Sequence, residues 1–111
     1  MTDDPQTLLA LALETIERGE MQEGLDILRQ AVQASGNAPQ FRHEFYVQNG
    51  IALYAEGFAE PAVTSLRKAL KFERDLGTYR ILGHMLVETD LPHDAMDVAR
   101  EGLETFPRDP G

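Results

Sequence analysis

The chain has 111 residues, of which 42% are hydrophobic, and this fits one soluble globular domain rather than a disordered segment. Ten Lys and Arg against nineteen Asp and Glu give a formal net charge of −9, so binding to nucleic acid or to anionic lipid is disfavoured. Because there is no cysteine, disulfides, thiolate metal sites and a cysteine nucleophile are excluded.

The sequence also argues against a membrane protein. Its longest apolar run, from Leu8 to Leu13, is too short to cross a bilayer, and the acidic start at Asp3 and Asp4 has the wrong charge for a signal peptide. We therefore expect a cytoplasmic protein without membrane insertion, although a cysteine-free chain would also suit another compartment.

Turn and cap signals divide the chain into six segments of helical length, and no segment alternates as a strand would, so an all-α fold is predicted. Asp3 or Asp4 caps the first helix, and Gly19 ends it. The first three helices are predicted at residues 5–18, 21–34 and 39–56. The last three are predicted at residues 61–74, from Asp75 or Thr78 to about Thr89, and from Asp90 to Pro107. Loops this short favour antiparallel neighbours.

The chain repeats itself at offsets of 38 and then 33 residues. Bulky residues recur at the start of the first helix of each copy, namely Leu8, Tyr46 and Tyr79. Small residues follow at Ala12, Gly50 and Gly83, and the second helices align at Gly24, Ala62 and Ala95. Small residues at these places indicate close contacts between helices, so we expect a leucine at Gly50 to overpack the structure.

This pattern of bulky residue, small residue, glycine turn and alanine resembles the tetratricopeptide repeat, whose period is about 34 residues. The middle copy matches best, at Tyr46, Gly50, Leu53, Gly57, Ala62, Leu66 and Ala69. The signature tryptophan is missing. The resemblance implies a right-handed α-solenoid of three stacked hairpins within one domain, 1–111, with repeats at about 5–36, 43–75 and 76–109.

The resemblance also implies a concave groove formed by the first helix of each repeat. Register predicts its lining, which is mostly apolar and rimmed by carboxylates: Leu9, Leu13, Ile16, Glu17, Glu44, Val47, Ile51, Tyr54, Arg80, His84, Val87 and Glu88. The basic clamp with which some members of the family hold a carboxylate terminus is missing. We therefore expect a protein or peptide partner that offers an amphipathic helix or an extended apolar segment, with basic residues facing the rim.

The sequence gives no support for an enzyme, a catalytic residue, a metal site or a cofactor. His43, His84 and His93 lack a second ligand at the spacing that zinc sites use, and Ser35 and Ser65 lack the context of a nucleophile. The predicted function is therefore a non-enzymatic adaptor or scaffold for protein binding. The alternatives are a structural self-association unit, a protein like the secretion chaperones, or a fragment of a longer tetratricopeptide scaffold.

The fifth and sixth helices are predicted to leave a partly bare apolar flank, because each repeat in such an array leaves a flank for the next to cover and no seventh helix is predicted. The candidate residues are Leu86, Val98, Leu103 and Phe106. An exposed flank of this kind promotes association, so we expect either a homodimer or an array cut from a longer protein. The alternative is that Phe106 and Pro107 fold back and close this end.

Overall fold

The computed structural model describes residues 4–88 and 92–105, with side chains for all of these except 92–95. This part of the chain is all-helical and contains no strand. The six helices are α1 (Pro5–Glu17), α2 (Met21–Ala34), α3 (Pro39–Ala55), α4 (Ala59–Phe72), α5 (Leu76–Glu88) and α6 (Pro92–Thr105). The predicted order and number of helices are confirmed for the described residues, and the predicted end near Pro107 lies outside them.

Two of the turns between paired helices share one geometry. Gly19 and Gly57 both have positive φ, at 90° and 92°, and each follows a helix whose last carbonyls accept from the turn. A side chain at such a φ is strained, so glycine is required. The register that aligned these two glycines in the sequence is therefore a structural equivalence.

The helices pack as three hairpins, α1 with α2, α3 with α4 and α5 with α6, and successive hairpins meet through α2 with α3 and α4 with α5. Helix α3 is longer than α1 and α5, with 17 residues against 13 in each. The extra turn lies at its start, because the 38-residue offset makes Pro5, the first residue of α1, equivalent to His43, which lies four residues after the start of α3.

Two apolar clusters hold the hairpins together. The small core cluster contains Ala12, Leu28, Ala31 and Phe41 and joins the first hairpin to α3. The large core cluster joins the second hairpin to α5 and α6, and it contains Val47, Ala62, Leu66, Ala69, Leu70, Tyr79, Leu82, Met85, Leu86 and Val98. Burial of these side chains is the main favourable term for stacking one hairpin on the next.

Gly50 lies where two helices approach closely. A Cβ atom added there would be 2.9 Å from Cγ of the fully buried Leu66 and 3.1 Å from the carbonyl oxygen of Ala62. The close contact predicted at Gly83 is not found among the described residues, because its added Cβ would have no atom of another helix within 4 Å.

Candidate functional site

Three of the predicted groove residues are linked across α3 and α5. The hydroxyl of Tyr54 donates a hydrogen bond to one carboxylate oxygen of Glu88, and the other oxygen lies 3.0 Å from Nε2 of His84. The hydrogen bond to Glu88 raises the pKa of Tyr54 above its ordinary value, because loss of the proton would place two negative charges together.

The surroundings of this trio are partly apolar. Val87 is 64% exposed, and Ile51 and Tyr54 are half-buried against the large core cluster. Arg80 is exposed one turn before His84. The second and third copies therefore present apolar side chains beside charged ones around this trio.

Val47 departs from that expectation. Its side chain is only 8% exposed and belongs to the large core cluster. Register placed Val47 among residues that flank the packing positions, but its side chain is buried together with residues of α4 and α5. Val47 therefore contributes to the core and offers little surface to a partner.

The predicted residues of the first copy are less clearly grouped. Leu9 packs against the small core cluster, Leu13 is half-buried and Glu17 is exposed. The side chain of Ile16 lies in the contact between α1 and α2, where its Cγ1 would be 2.4 Å from a Cβ at Gly24. Glu44 belongs to the second copy, where it accepts a hydrogen bond from Gln48 within α3. Among the described residues, no hydrogen bond or ion pair joins this α1 set to the trio.

A second surface lies between α5 and α6. It is a groove of about 380 Å³ whose lining is mostly apolar. The residues along it are Leu76, Tyr79, Arg80, Gly83, His84, Val98, Ala99, Gly102 and Leu103. The groove shares Arg80 and His84 with the predicted concave lining.

The flank of the last hairpin is therefore only partly as expected. Leu103 is 53% exposed, whereas Leu86 and Val98 are buried at 0% and 1% in the large core cluster. The expectation for Leu86 and Val98 is wrong because contacts with neighbouring helices already cover both side chains. Phe106 lies outside the described residues.

His43 is a residue whose role sequence reasoning missed. Its side chain is nearly buried, its Nδ1 lies 2.8 Å from the carbonyl oxygen of Ala69, and its Nε2 lies 3.0 Å from Oδ1 of Asp75 and 3.7 Å from Oε2 of Glu73. The carbonyl oxygen of Ala69 and the carboxylate of Asp75 both accept hydrogen bonds, so a ring nitrogen of His43 that carries a proton can donate to the acceptor beside it. The side chain thus ties α3 to the end of α4 and to the cap of α5.

In the described part of the chain, His43, Glu73 and Asp75 also form a group whose ligand atoms are close enough to hold a metal ion. One ligand atom each from His43, Glu73 and Asp75 lie within 4.8 Å of one another. About thirty residues separate His43 from the two carboxylates, so no local spacing signalled the group. The hydrogen bonds just described account for its geometry.

Aromatic rings and positively charged side chains pack against one another on the surface where α2, α3 and α4 meet. Tyr46 stacks on Phe72 with ring centroids 5.8 Å apart, and Arg42 lies 4.5 Å above the centre of Phe72. Arg29 over Phe45 and Lys68 over Tyr46 continue the arrangement. In these contacts, charged side chains lie over the faces of the aromatic rings. The charged groups meet the solvent and cover part of the apolar ring surface.

In the part of the chain that the structure describes, no helix combines the length and the apolar character that crossing a bilayer requires.

Comparison with known proteins bears on the fold. No family profile matches the chain, and no curated protein matches its sequence. A solved structure of MamA, spanning residue 41 to its end, from Desulfovibrio magneticus RS-1 is similar, with a TM-score of 0.54 and 14% sequence identity over 93% of this chain and 76% of that one. MamA contains tetratricopeptide repeats. This chain therefore has a tetratricopeptide-like fold of three helix hairpins.

Proposed function

We propose that the chain is a non-enzymatic scaffold that binds a protein segment on the face formed by α1, α3 and α5. The observation that carries the proposal is the apolar surface around Val87, which is 64% exposed next to the linked side chains of Tyr54, His84 and Glu88. Large exposed apolar side chains beside charged groups are typical of protein interaction sites.

The charge of the face indicates what the partner offers. Glu88 lies beside Val87, and Glu17 and Glu44 are the further carboxylates of the predicted rim. A partner that combines apolar side chains with Lys or Arg would bury Val87 and place its own positive charges on this rim. An amphipathic helix or an extended segment with basic residues at its edge has this chemistry.

Several groups that could have served catalysis are engaged in holding the fold. The hydroxyl of Ser65 donates to the carbonyl oxygen of Tyr46, and that of Thr15 donates to the carbonyl oxygen of Leu11. His43 is occupied by Ala69 and Asp75. These contacts favour a structural role for each of these side chains.

A peptide selection tests the proposed function. Wild-type protein serves as bait for a displayed library of helical and extended segments, and the selected peptides are then measured against Val87→Glu. Because Val87 is exposed, its substitution should leave the helices folded and still abolish binding by placing a carboxylate in the apolar contact.

Phe58→Glu is the matched control. Phe58 is 54% exposed between α3 and α4, outside the predicted groove, so this variant should bind like the wild type. Selected peptides that bind Val87→Glu as well as the wild type would contradict the proposal.

A further inference from the structure

The groove between α5 and α6 corresponds, by the register of the repeat, to a surface of the middle hairpin that is buried. An offset of 33 residues maps Leu70 of α4 onto Leu103 of α6, and Val63 onto Met96. Leu70 is 8% exposed in the large core cluster, and Val63 packs against that cluster, which also contains four residues of α5. Leu103 and Met96 are 53% and 63% exposed. On the middle hairpin, α5 packs over this surface of α4. On the last hairpin, no described helix packs over the equivalent surface of α6.

Helix α1 carries the same docking face as α5. Asp4 accepts hydrogen bonds from the backbone N–H and the hydroxyl of Thr7, as Asp75 does from those of Thr78. Leu11 then occupies the position of Leu82. In α5 these positions are covered, with Thr78 at 2% and Leu82 at 0% exposure, whereas in α1 Thr7 is exposed and Leu11 is 43% exposed.

The two uncovered faces differ from the covered pair in a complementary way. Where α3 has Val47 and Ile51, α5 has Arg80 and His84. Where α5 has Met85, which shares the large core cluster with Val47, α1 has the exposed Glu14. An apolar contact inside the molecule is thus replaced by a carboxylate on one face and by Arg80 and His84 on the other, where Nε2 of His84 also lies 3.0 Å from the carboxylate of Glu88.

We propose that α1 of a second copy of this chain docks on the α5–α6 groove, with Leu11 in the place that Leu82 takes on the middle hairpin and Glu14 facing Arg80 and His84. The contact joins two different surfaces, so it continues the stacking of hairpins from one copy to the next and produces open head-to-tail chains. This surface goes beyond the proposed function, because its apolar residues Leu11 and Leu103 are not among the predicted groove residues.

Two blocking variants test the geometry. Leu11→Asp disables the α1 face and leaves the groove intact, and Leu103→Asp does the reverse. By sedimentation equilibrium, the wild type should rise above the monomer mass with concentration, and each variant alone should stay a monomer. An equimolar mixture should form a one-to-one dimer, because it retains one intact pair of faces.

Phe58→Asp is the control, because Phe58 is exposed and lies on neither face. This variant should behave like the wild type, and circular dichroism should show unchanged helical content in all three variants.

Charge reversal tests the polar part of the contact. Glu14→Arg should weaken association roughly fivefold, and adding Arg80→Glu to the same chain should restore part of the loss. Association should also weaken as salt is raised.

The proposal is overturned if the wild type remains a monomer into the millimolar range. It is equally overturned if Leu11→Asp still dimerises alone, which would indicate a symmetric contact between two α5–α6 grooves. A mixture of the two blocked variants that stays monomeric would contradict it as well. Peptide binding at Val87 does not depend on Leu11 or Leu103, so failure here leaves the proposed function standing.

Discussion

The middle and last hairpins carry equivalent residues in different surroundings. In the middle hairpin, Gly50 meets Leu66 closely and Leu70 is buried against α5. In the last hairpin, an added Cβ at Gly83 would have no atom of another described helix within 4 Å, and Leu103 is half exposed. The register is the same in both. The surroundings of a repeat position therefore depend on the paired helix of the same hairpin, as with Gly50 and Leu66, and on the next hairpin, as with Leu70 and α5.

This difference has a consequence for stability and for binding. A side chain covered by the next hairpin contributes to folding, whereas its equivalent on an uncovered hairpin is available to another molecule. The first three predictions below compare equivalent positions of two hairpins, and the fourth tests a contact between the middle and last hairpins.

The largest difference is expected between the two leucines. Leu70→Ala should lower the free energy of unfolding by about 2–4 kcal/mol, because it removes buried methyl groups and leaves a cavity beside α5. Leu103→Ala should cost less than about 1 kcal/mol, because that side chain is already half in water. Urea unfolding of both variants, measured below the concentration at which the chain associates, checks this. Equal losses would contradict the difference between the hairpins.

The two glycines should respond with opposite signs. Gly50→Ala should destabilise by about 1–3 kcal/mol, because the new methyl group meets Leu66 and the carbonyl oxygen of Ala62. Leucine at this position should be worse. Gly83→Ala should stabilise by about 0.5–1 kcal/mol, since alanine favours the helix and finds open space. Thermal unfolding followed by circular dichroism gives both signs, and a stable Gly50→Ala would show that the contact between α3 and α4 is looser than described.

Asp4 and Asp75 cap the equivalent helices α1 and α5. Asp75 also contacts His43 of the middle hairpin. Asp75→Ala should cost about 1–2 kcal/mol, because it removes both the cap of α5 and the partner of His43. Asp75→Asn should recover the capping part, because asparagine also caps helices. Asp4→Ala loses a cap only, and a cost near 0.5 kcal/mol is expected. If Asp75→Asn were as damaging as Asp75→Ala, the cap would contribute nothing.

The smallest effect concerns Tyr54. Glu88→Gln should lower its pKa towards the ordinary value for tyrosine, because the hydrogen-bonded carboxylate that opposes ionisation is removed. A raised folded-state pKa means that the hydrogen bond stabilises the fold below the pKa of an unfolded tyrosine and ceases to do so as pH rises through the folded-state value. NMR titration of Tyr54 in the wild type and in Glu88→Gln measures the shift. An unchanged pKa in Glu88→Gln would contradict the contact.

The helices and their register could be predicted from the sequence because both depend on local signals. Caps such as Asp75, turns such as Gly57 and the recurrence of Tyr46 and Tyr79 are all visible in one pass along the chain. The helix ends moved by only one or two residues, as at α1, which ends at Glu17.

The candidate site could be predicted less well because it depends on how hairpins stack. Val47 looked like a groove residue by register, but it is covered by the stacked core, and Val98 looked exposed but is buried. The contact of His43 with Asp75 joins residues far apart in the chain, so it leaves no local pattern. These features become visible only when the hairpins are placed against one another.

Because the chain contains no cysteine, single introduced thiols can report directly whether the face of α1, α3 and α5 binds a protein segment. Single-cysteine variants at Val87, Phe58 and Leu103 are labelled with a thiol reagent, with and without a peptide selected against the wild type. The peptide should slow the labelling of Val87→Cys and leave the labelling rates of Phe58→Cys and Leu103→Cys unchanged. Unchanged labelling at Val87→Cys, or protection of Leu103→Cys in its place, would contradict binding on this face.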